Sequence, residues 1–197
     1  GLKNHWNNLI YNYILYYIMA FYFHAYTDIP DVKVIYPKRI NDERGWFMES
    51  YVEREFLNNG IRLDFIQENH SCSQAGVFRG LHYQRYPYDQ GKLVRCTRGS
   101  LTDYFMDMRK ESKTFGKLGS YKLTAKNSEM VWVPRGFAHG IHILEDDTEI
   151  MYKVDNVYAP TYECGVNPLS CIEFDEVPLL SEKDKAWPDF ENAVYFS

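Results

Sequence analysis

The chain has 197 residues and a formal charge of −5, from 22 Lys and Arg against 27 Asp and Glu. That length suits one domain with a substantial core and is too short for two independent enzymatic domains. The acidic balance argues against a nucleic-acid binder, so the cations clustered within residues 76–98 point instead to a small anionic ligand.

In chain order, the first feature is LIYNYILYYIMAFYF, Leu9 to Phe23. It is apolar, but shorter than the roughly 20 residues a spanning helix needs. It carries Asn12 and five tyrosines, with only Lys3 as a basic flank and no small-residue cleavage site. Residues 1–18 are therefore read as an extension, with Met19 opening a single domain over 19–197 and no membrane partner. N-terminal sequencing of the natural protein tests that reading.

Val32–Tyr36 reads as a β-branched strand closed by Pro37, and Asp42–Glu49 as a turn leading into a second strand. Ser50 with Glu53 forms a capping-box pattern and Asn58-Asn59-Gly60 a stop, which predicts a helix over 51–59. From there the pattern is β. The expected strands are Phe65–Ser71, Val77–Gln84, Lys92–Thr97, Leu101–Met108, Gly119–Leu123, Met130–Val133, Gly140–Leu144 and Glu149–Asp155. Arg98-Gly99-Ser100 and Glu145-Asp146-Asp147 read as hairpin turns. Short strands without alternating helices predict an antiparallel sandwich or barrel. Near the end, Ser181 is placed to cap a helical turn over Glu182–Ala186, returning a carboxylate to the barrel mouth. Cys72, Cys96, Cys164 and Cys171 show no CxxC pairing and are read as unpaired thiols of a reducing compartment.

The chemistry concentrates in GVFRGLHYQRYPYDQGKLVRCTR, Gly76 to Arg98, where Arg79, His82, Lys92, Arg95 and Arg98 punctuate two strand-like runs. An imidazole among cations suits proton transfer near an anion. A single strand histidine is more often a hydrogen-bonded structural residue, and what raises His82 above that is its company. A second cluster, PRGFAHG, delivers His139 at the start of a strand. A metal site would need His82, His139, His142 and Glu68 or Glu145 to converge. In a regular strand, however, His139 and His142 point to opposite faces. Tyr152 and Tyr158 read first as aromatic wall residues, although a phenol facing a pocket can also serve as an acid.

Together DERGWFMES, FIQENHS, FRGLHYQ, QGKLVR, TFGK, VPRGFAHG, YKVDNVYAP and LLSEKD resemble the dTDP-4-dehydrorhamnose 3,5-epimerase family of small cupin-type β-barrels, from about Asp31 to Asp184. RGLHYQ with QGKLVR and the FAHG run are the specific part. The resemblance implies an all-β cupin-type antiparallel barrel, or jelly roll, with a few short helices. It implies a cytoplasmic homodimer with N-terminal strand exchange and inversion at C3 and C5 of a 4-keto-6-deoxyhexose carried on dTDP, with no cofactor and no metal. His82 would be the base, held by Asp184, with Lys92 stabilising the enolate oxygen and Tyr152 returning a proton from the opposite face. Arg44, Phe47 and Glu49 would meet the nucleotide, partly across the dimer. Gln67 and Asn69 would hydrogen-bond the base or phosphates, Arg79 would pair with the diphosphate, His139 would line the wall near the sugar and Tyr158 would lie against the substrate.

The chain departs from the family pattern in three places. Gly165-Val166-Asn167-Pro168-Leu169-Ser170 replaces a tryptophan-asparagine-aspartate segment, Ile141 stands where an aromatic follows FAHG, and Arg135 takes the place of an acidic residue. A C3-only or C5-only epimerase, a non-catalytic sugar-nucleotide-binding cupin and a metal-dependent cupin oxygenase are the competing readings.

Overall fold

The computed structural model of the chain describes residues 19–61 and 64–197, so the expected extension over 1–18 lies outside the described residues. The strands are β1 (Phe21–Tyr26), β2 (Ile29–Pro37), β3 (Ile40–Asp42), β4 (Gly45–Phe47), β5 (Gln67–Ser73), β6 (Phe78–Gln84), β7 (Lys92–Arg98), β8 (Ser100–Asp107), β9 (Leu118–Thr124), β10 (Met130–Val133), β11 (Phe137–Ile143), β12 (Thr148–Val154) and β13 (Glu163–Gly165). Two short helices join them, α1 (Glu53–Asn58) and α2 (Glu182–Lys185).

A six-stranded sheet, β1-β2-β10-β7-β12-β5, packs on a five-stranded one, β13-β6-β11-β8-β9, while β3 and β4 pair only with each other. Strand pairing is antiparallel throughout both sheets. This is the cupin-type jelly roll that the resemblance implied. Between the sheets lie Val94, Cys96, Val131 and Ile150 from one and Leu101, Phe105, Phe137 and Ile141 from the other. Each comes from one parity of its strand, as a pleat with one face inward requires.

The outer face of the six-stranded sheet carries a second layer. There Phe21, Ile35, Leu93, Met130 and Trp132 are covered by α1 through Phe56. The Phe56 ring meets those of Phe21, Phe23 and Tyr51 at centroid distances of 5.3, 5.2 and 4.9 Å. Complete burial of such a side chain contributes about 2–3 kcal/mol. That burial, rather than capping, places the helix. The expected capping box does not form, because the N-cap is Val52, with no side-chain cap bond, and the helix spans 53–58 instead of 51–59.

The two expected hairpin turns are also corrected. Gly99 separates β7 from β8, and residues 144–147 separate β11 from β12, yet in both cases the flanking strands belong to different sheets. These turns carry the chain over the edge of the barrel, and a local turn signal cannot tell such a crossing from a hairpin. Gly99 is required at the first of them: its φ is +73°, and a Cβ there would lie 2.3 Å from Thr148 Oγ1. β1 and β13 were not expected at all. β1 reads FYFHAY, in which buried Phe21 and exposed Tyr22 are both aromatic, so polarity does not reveal the alternation. β13 is three residues long, too short to show a period.

Candidate active site

β7 begins with Lys92, which shares its parity with the inward-facing Val94 and Cys96. Arg95, of opposite parity, lies on the outer face and bonds Met151 Sδ at 3.7 Å. Arg98 is exposed, 3.8 Å from both Asp147 and Glu149. The pleat thus turns Arg95 outward, while Arg98 lies past a register shift in the β7–β12 pairing at the exposed end of the strand. Of Arg79, His82, Lys92, Arg95 and Arg98, the first three line the interior cleft.

Arg79 and His82 are three residues apart, so a regular strand would turn them to opposite faces. Gly80 makes the difference. Its φ is +123°, a Cβ there would lie 2.6 Å from Gly140 Cα and from His139 O, and the β6–β11 register shifts between His139 and Ile141. This irregularity lets both side chains reach the same cleft, much as a bulge re-aims a side chain elsewhere. The cleft has a lobe of about 730 Å³, with Ile141, Ile150, Phe78 and Leu180 among its apolar walls. A second lobe of about 360 Å³ opens toward Gln67, Asn69 and Tyr158. His82, Lys92, Tyr152 and Lys183 border both.

His82 Nε2 lies 2.5 Å from Asp184 Oδ1, and the Asp184 side chain is 4% exposed. Asp184 arrives on α2, where Ser181 accepts a hydrogen bond from the Asp184 N–H at 3.1 Å, as the sequence predicts. Burial works against the Asp184 carboxylate, but hydrogen bonds with His82, Ser181 and the Gly80 N–H outweigh it and hold the carboxyl below its usual range. An ionised carboxylate on one ring nitrogen fixes the tautomer and leaves the other nitrogen to take a proton.

Lys92 makes no ion pair among the described residues, and burial lowers its ammonium to about 8, against the pull of Asp155, Asp103 and Glu163. Tyr152 pairs across the ladder with Asn69. Burial raises its phenol, opposed by a hydrogen bond from Asn69 and by Arg79, so the hydroxyl keeps its proton. Arg79 Nε donates to Ser73 Oγ at 3.0 Å. Gln67 Nε2 donates to Asn69 Oδ1 at 2.9 Å, and the Tyr158 hydroxyl to Glu163 Oε2 at 2.8 Å.

His139 faces His82 across the β6–β11 pair and bonds the fully buried Asp103 at 2.8 Å. His142 points to the other face, where its ring meets Phe78 and Phe174. Among the described residues, no three His, Cys, Asp or Glu side chains come together to hold a metal ion. Arg44, Phe47 and Glu49 are not brought to the cleft of their own chain. Arg44 is held by Asp42, Phe47 is 64% exposed, and all three lie on or just beyond the β3–β4 hairpin.

Sequence reasoning missed four residues here. Asp103 pairs with His139, Glu163 bonds both Tyr158 and Lys183, and Trp187 sets its ring 6.3 Å from that of His82. Asp155 accepts the Gly91 N–H at the mouth. Asp103 had a legible signal, a carboxylate inside the apolar run LTDYFMD. Trp187 had none, since it packs over Gly165, 22 residues earlier in the chain.

A His–Asp pair with a buried carboxylate, an unpaired lysine and a protonated phenol around one cleft in a jelly roll define a cupin-type barrel equipped to remove and return a proton beside an anion. The sequence profile described as dTDP-4-dehydrorhamnose 3,5-epimerase matches residues 26–192. The chain belongs to that epimerase family. It is 46% identical over 175 residues to the dTDP-4-dehydrorhamnose 3,5-epimerase of Shigella flexneri, covering 86% of this chain and 97% of the relative. The crystal structure of the Sulfolobus tokodaii enzyme superposes with a TM-score of 0.84 at 37% identity, covering 91% of this chain and 100% of that one. The Legionella pneumophila enzyme, in complex with dTDP-4-keto-L-rhamnose, gives 0.82 at 36% identity, covering 87% and 94%.

Proposed function

We propose that this chain inverts C3 and C5 of a dTDP-4-keto-6-deoxyhexose, converting dTDP-4-dehydro-6-deoxyglucose to dTDP-4-dehydrorhamnose without a cofactor. The observation that carries the reading is the His82–Asp184 pair on the wall of a cleft shared with Lys92 and Tyr152. The C4 carbonyl acidifies the hydrogens on both neighbouring carbons. His82 takes one of them as a proton, and the electron pair of the C–H bond moves onto the carbonyl oxygen. Lys92 faces that oxyanion; one preorganised donor at such a position is typically worth about 3–4 kcal/mol. The Tyr152 O–H then gives its proton to the same carbon from the opposite side, which inverts the centre. Arg79, exposed at the cleft and without a carboxylate partner among the described residues, suits the diphosphate as a fork of donors. Gln67, Asn69 and Tyr158 line the lobe assigned to the nucleotide, and His139 lines the sugar side.

The β3–β4 hairpin supports a homodimer in which Arg44, Phe47 and Glu49 complete a partner's nucleotide site. Ile40, Trp46 and Phe47 are 59%, 55% and 64% exposed there, a density of apolar surface that a free hairpin would not keep in water. Sedimentation should give a dimer. A variant lacking residues 40–47 should sediment as a monomer with weakened substrate binding, and a dimer persisting in that variant would refute the exchange. The same reading places residues 19–197 in one working domain and the enzyme in the cytoplasm, with its nucleotide-sugar substrate. No described helix is long and apolar enough to cross a membrane.

Solvent deuterium incorporation into dTDP-4-dehydro-6-deoxyglucose tests the activity. Label at both C3 and C5 is expected; label at one carbon would make the chain a mono-epimerase, and none would leave a binding protein or a different cupin chemistry. His82→Ala should abolish exchange at both carbons, and Asp184→Asn should lower it by about 10²- to 10⁴-fold. Tyr152→Phe should exchange without inverting. Wild-type exchange in His82→Ala would end the assignment of the base.

A further inference from the structure

Arg135, the cation standing where the family pattern has an acid, lies outside the reacting groups, yet it is bound to the segment that delivers Lys92. Lys92 is the first residue of β7, pairing on one side with Val133 at the end of β10 and on the other with Val154 at the end of β12. Just beyond those three positions lie Gly91, Arg135 and Asp155, and one carboxylate joins them. Asp155 accepts the Gly91 N–H on Oδ1 at 2.6 Å and Arg135 Nε on Oδ2 at 2.6 Å, while Arg135 Nη2 donates to the Asp155 carbonyl at 3.3 Å. The Asp155 side chain is 1% exposed, so its charge is matched inside the protein rather than by water. Gly91 is packed against the Trp132 ring, which a Cβ there would approach to 2.2 Å. Asn156 extends the tie by donating to the Pro87 carbonyl at 2.9 Å and accepting from Gln90 at 2.5 Å.

We propose that Arg135 is a positioning residue for Lys92, acting through Asp155 to fix the start of β7 and to offset the Asp155 charge beside it. The role rests on Lys92 serving the oxyanion as described above. Lys92 faces the anions Asp155 at the end of β12, Asp103 on β8 and Glu163 on β13. From β6, β11 and α2 the groups at the cleft are Arg79, His82, His139, Lys183 and Asp184, and from β12 Tyr152. Of all these, Asp155 is the one bonded to Arg135. Removing the Arg135 cation leaves Asp155 attracting a proton onto Lys92, whereas removing the Asp155 charge does the reverse.

The test is the titration midpoint of Lys92, followed by ¹³Cε NMR of lysine-labelled full-length protein and assigned by loss of its signal in Lys92→Arg. Arg135→Gln should raise the midpoint by about half a unit to one unit, Asp155→Asn should lower it by a similar amount, and Arg135→Lys should restore it. In parallel, deuterium exchange by Arg135→Gln should lose about tenfold in kcat with KM within about twofold. A merely structural contact would not move the midpoint in opposite directions in the two variants. Unchanged midpoints, or shifts of the same sign, overturn the proposal, and Arg135→Lys with Asp155→Asn decides it if Arg135→Gln does not fold. The midpoint is read without substrate, so a wild-type protein that exchanges no deuterium but shows the opposite shifts would refute the epimerase reading and leave the clamp standing.

Discussion

Lys92 carries its pH dependence in its surroundings. A buried ammonium brought down to about 8 is charged below that pH and neutral above it, and only the charged form stabilises an oxyanion. Turnover is therefore expected to fall on the alkaline side with a midpoint near 8, and a pH profile of kcat checks it. Lys92→Gln should lose about 10²- to 10³-fold in kcat and the limb with it. A variant that keeps the limb would assign it to another group. Asp184 works in the opposite sense: its carboxyl is held below the usual range, so the dyad stays intact from neutral pH down into the acid region.

At the scale of the element, β6 is the decisive strand. Its bulge at Gly80 gathers Arg79 and His82, which simple alternation would separate, at one cleft. Gly80→Ala would press a Cβ against the His139 and Gly140 backbone at a φ of +123°, and backbone cannot give as a flexible side chain can. A cost of about 2–4 kcal/mol is expected, read as a lower denaturation midpoint, with exchange activity lost beyond what unfolding explains. Activity and midpoint both at wild-type values would show that the bulge does not matter. α2 has the complementary task. It is too short to be stable alone, and its Ser181 cap with Trp187 packed over Gly165 presents Asp184 to a histidine 102 positions earlier.

For the whole molecule, the tie between the 109–114 loop and β2 runs through Asp107, at the end of β8. Burial disfavours its charge, but hydrogen bonds with Arg109, Ser112 and Thr114 prevail and lower the carboxyl to about 2. Arg109 also reaches Asp31 at 2.7 Å, joining the 109–114 loop to β2. Because the folded value lies below the unfolded one, the stabilisation is present above about pH 4 and is lost as pH falls through about 2. It amounts to roughly 2 kcal/mol. Asp107→Asn should remove it at neutral pH and flatten the acid limb of a stability-against-pH curve; an unaltered limb would place the acid sensitivity elsewhere.

Much of this protein is written locally. The alternation of short β-rich runs with turn residues determined an all-β antiparallel fold, the parity of His139 and His142 determined their opposite faces, and Ser181 determined the turn that carries Asp184. The motifs RGLHYQ, QGKLVR and FAHG marked out the histidine of the dyad, the lysine and the second histidine. Tertiary structure alone decided that the Gly99 and 144–147 turns cross between sheets, that Arg98 leaves the cleft while Arg79 joins it, and that Arg135 and Asp155 close around Gly91. The reason is one of range. Periodicity and turn chemistry act over a few residues, whereas a sheet crossing, a bulge and a buried ion pair are settled by what lies on the neighbouring strand, dozens of positions away in the chain.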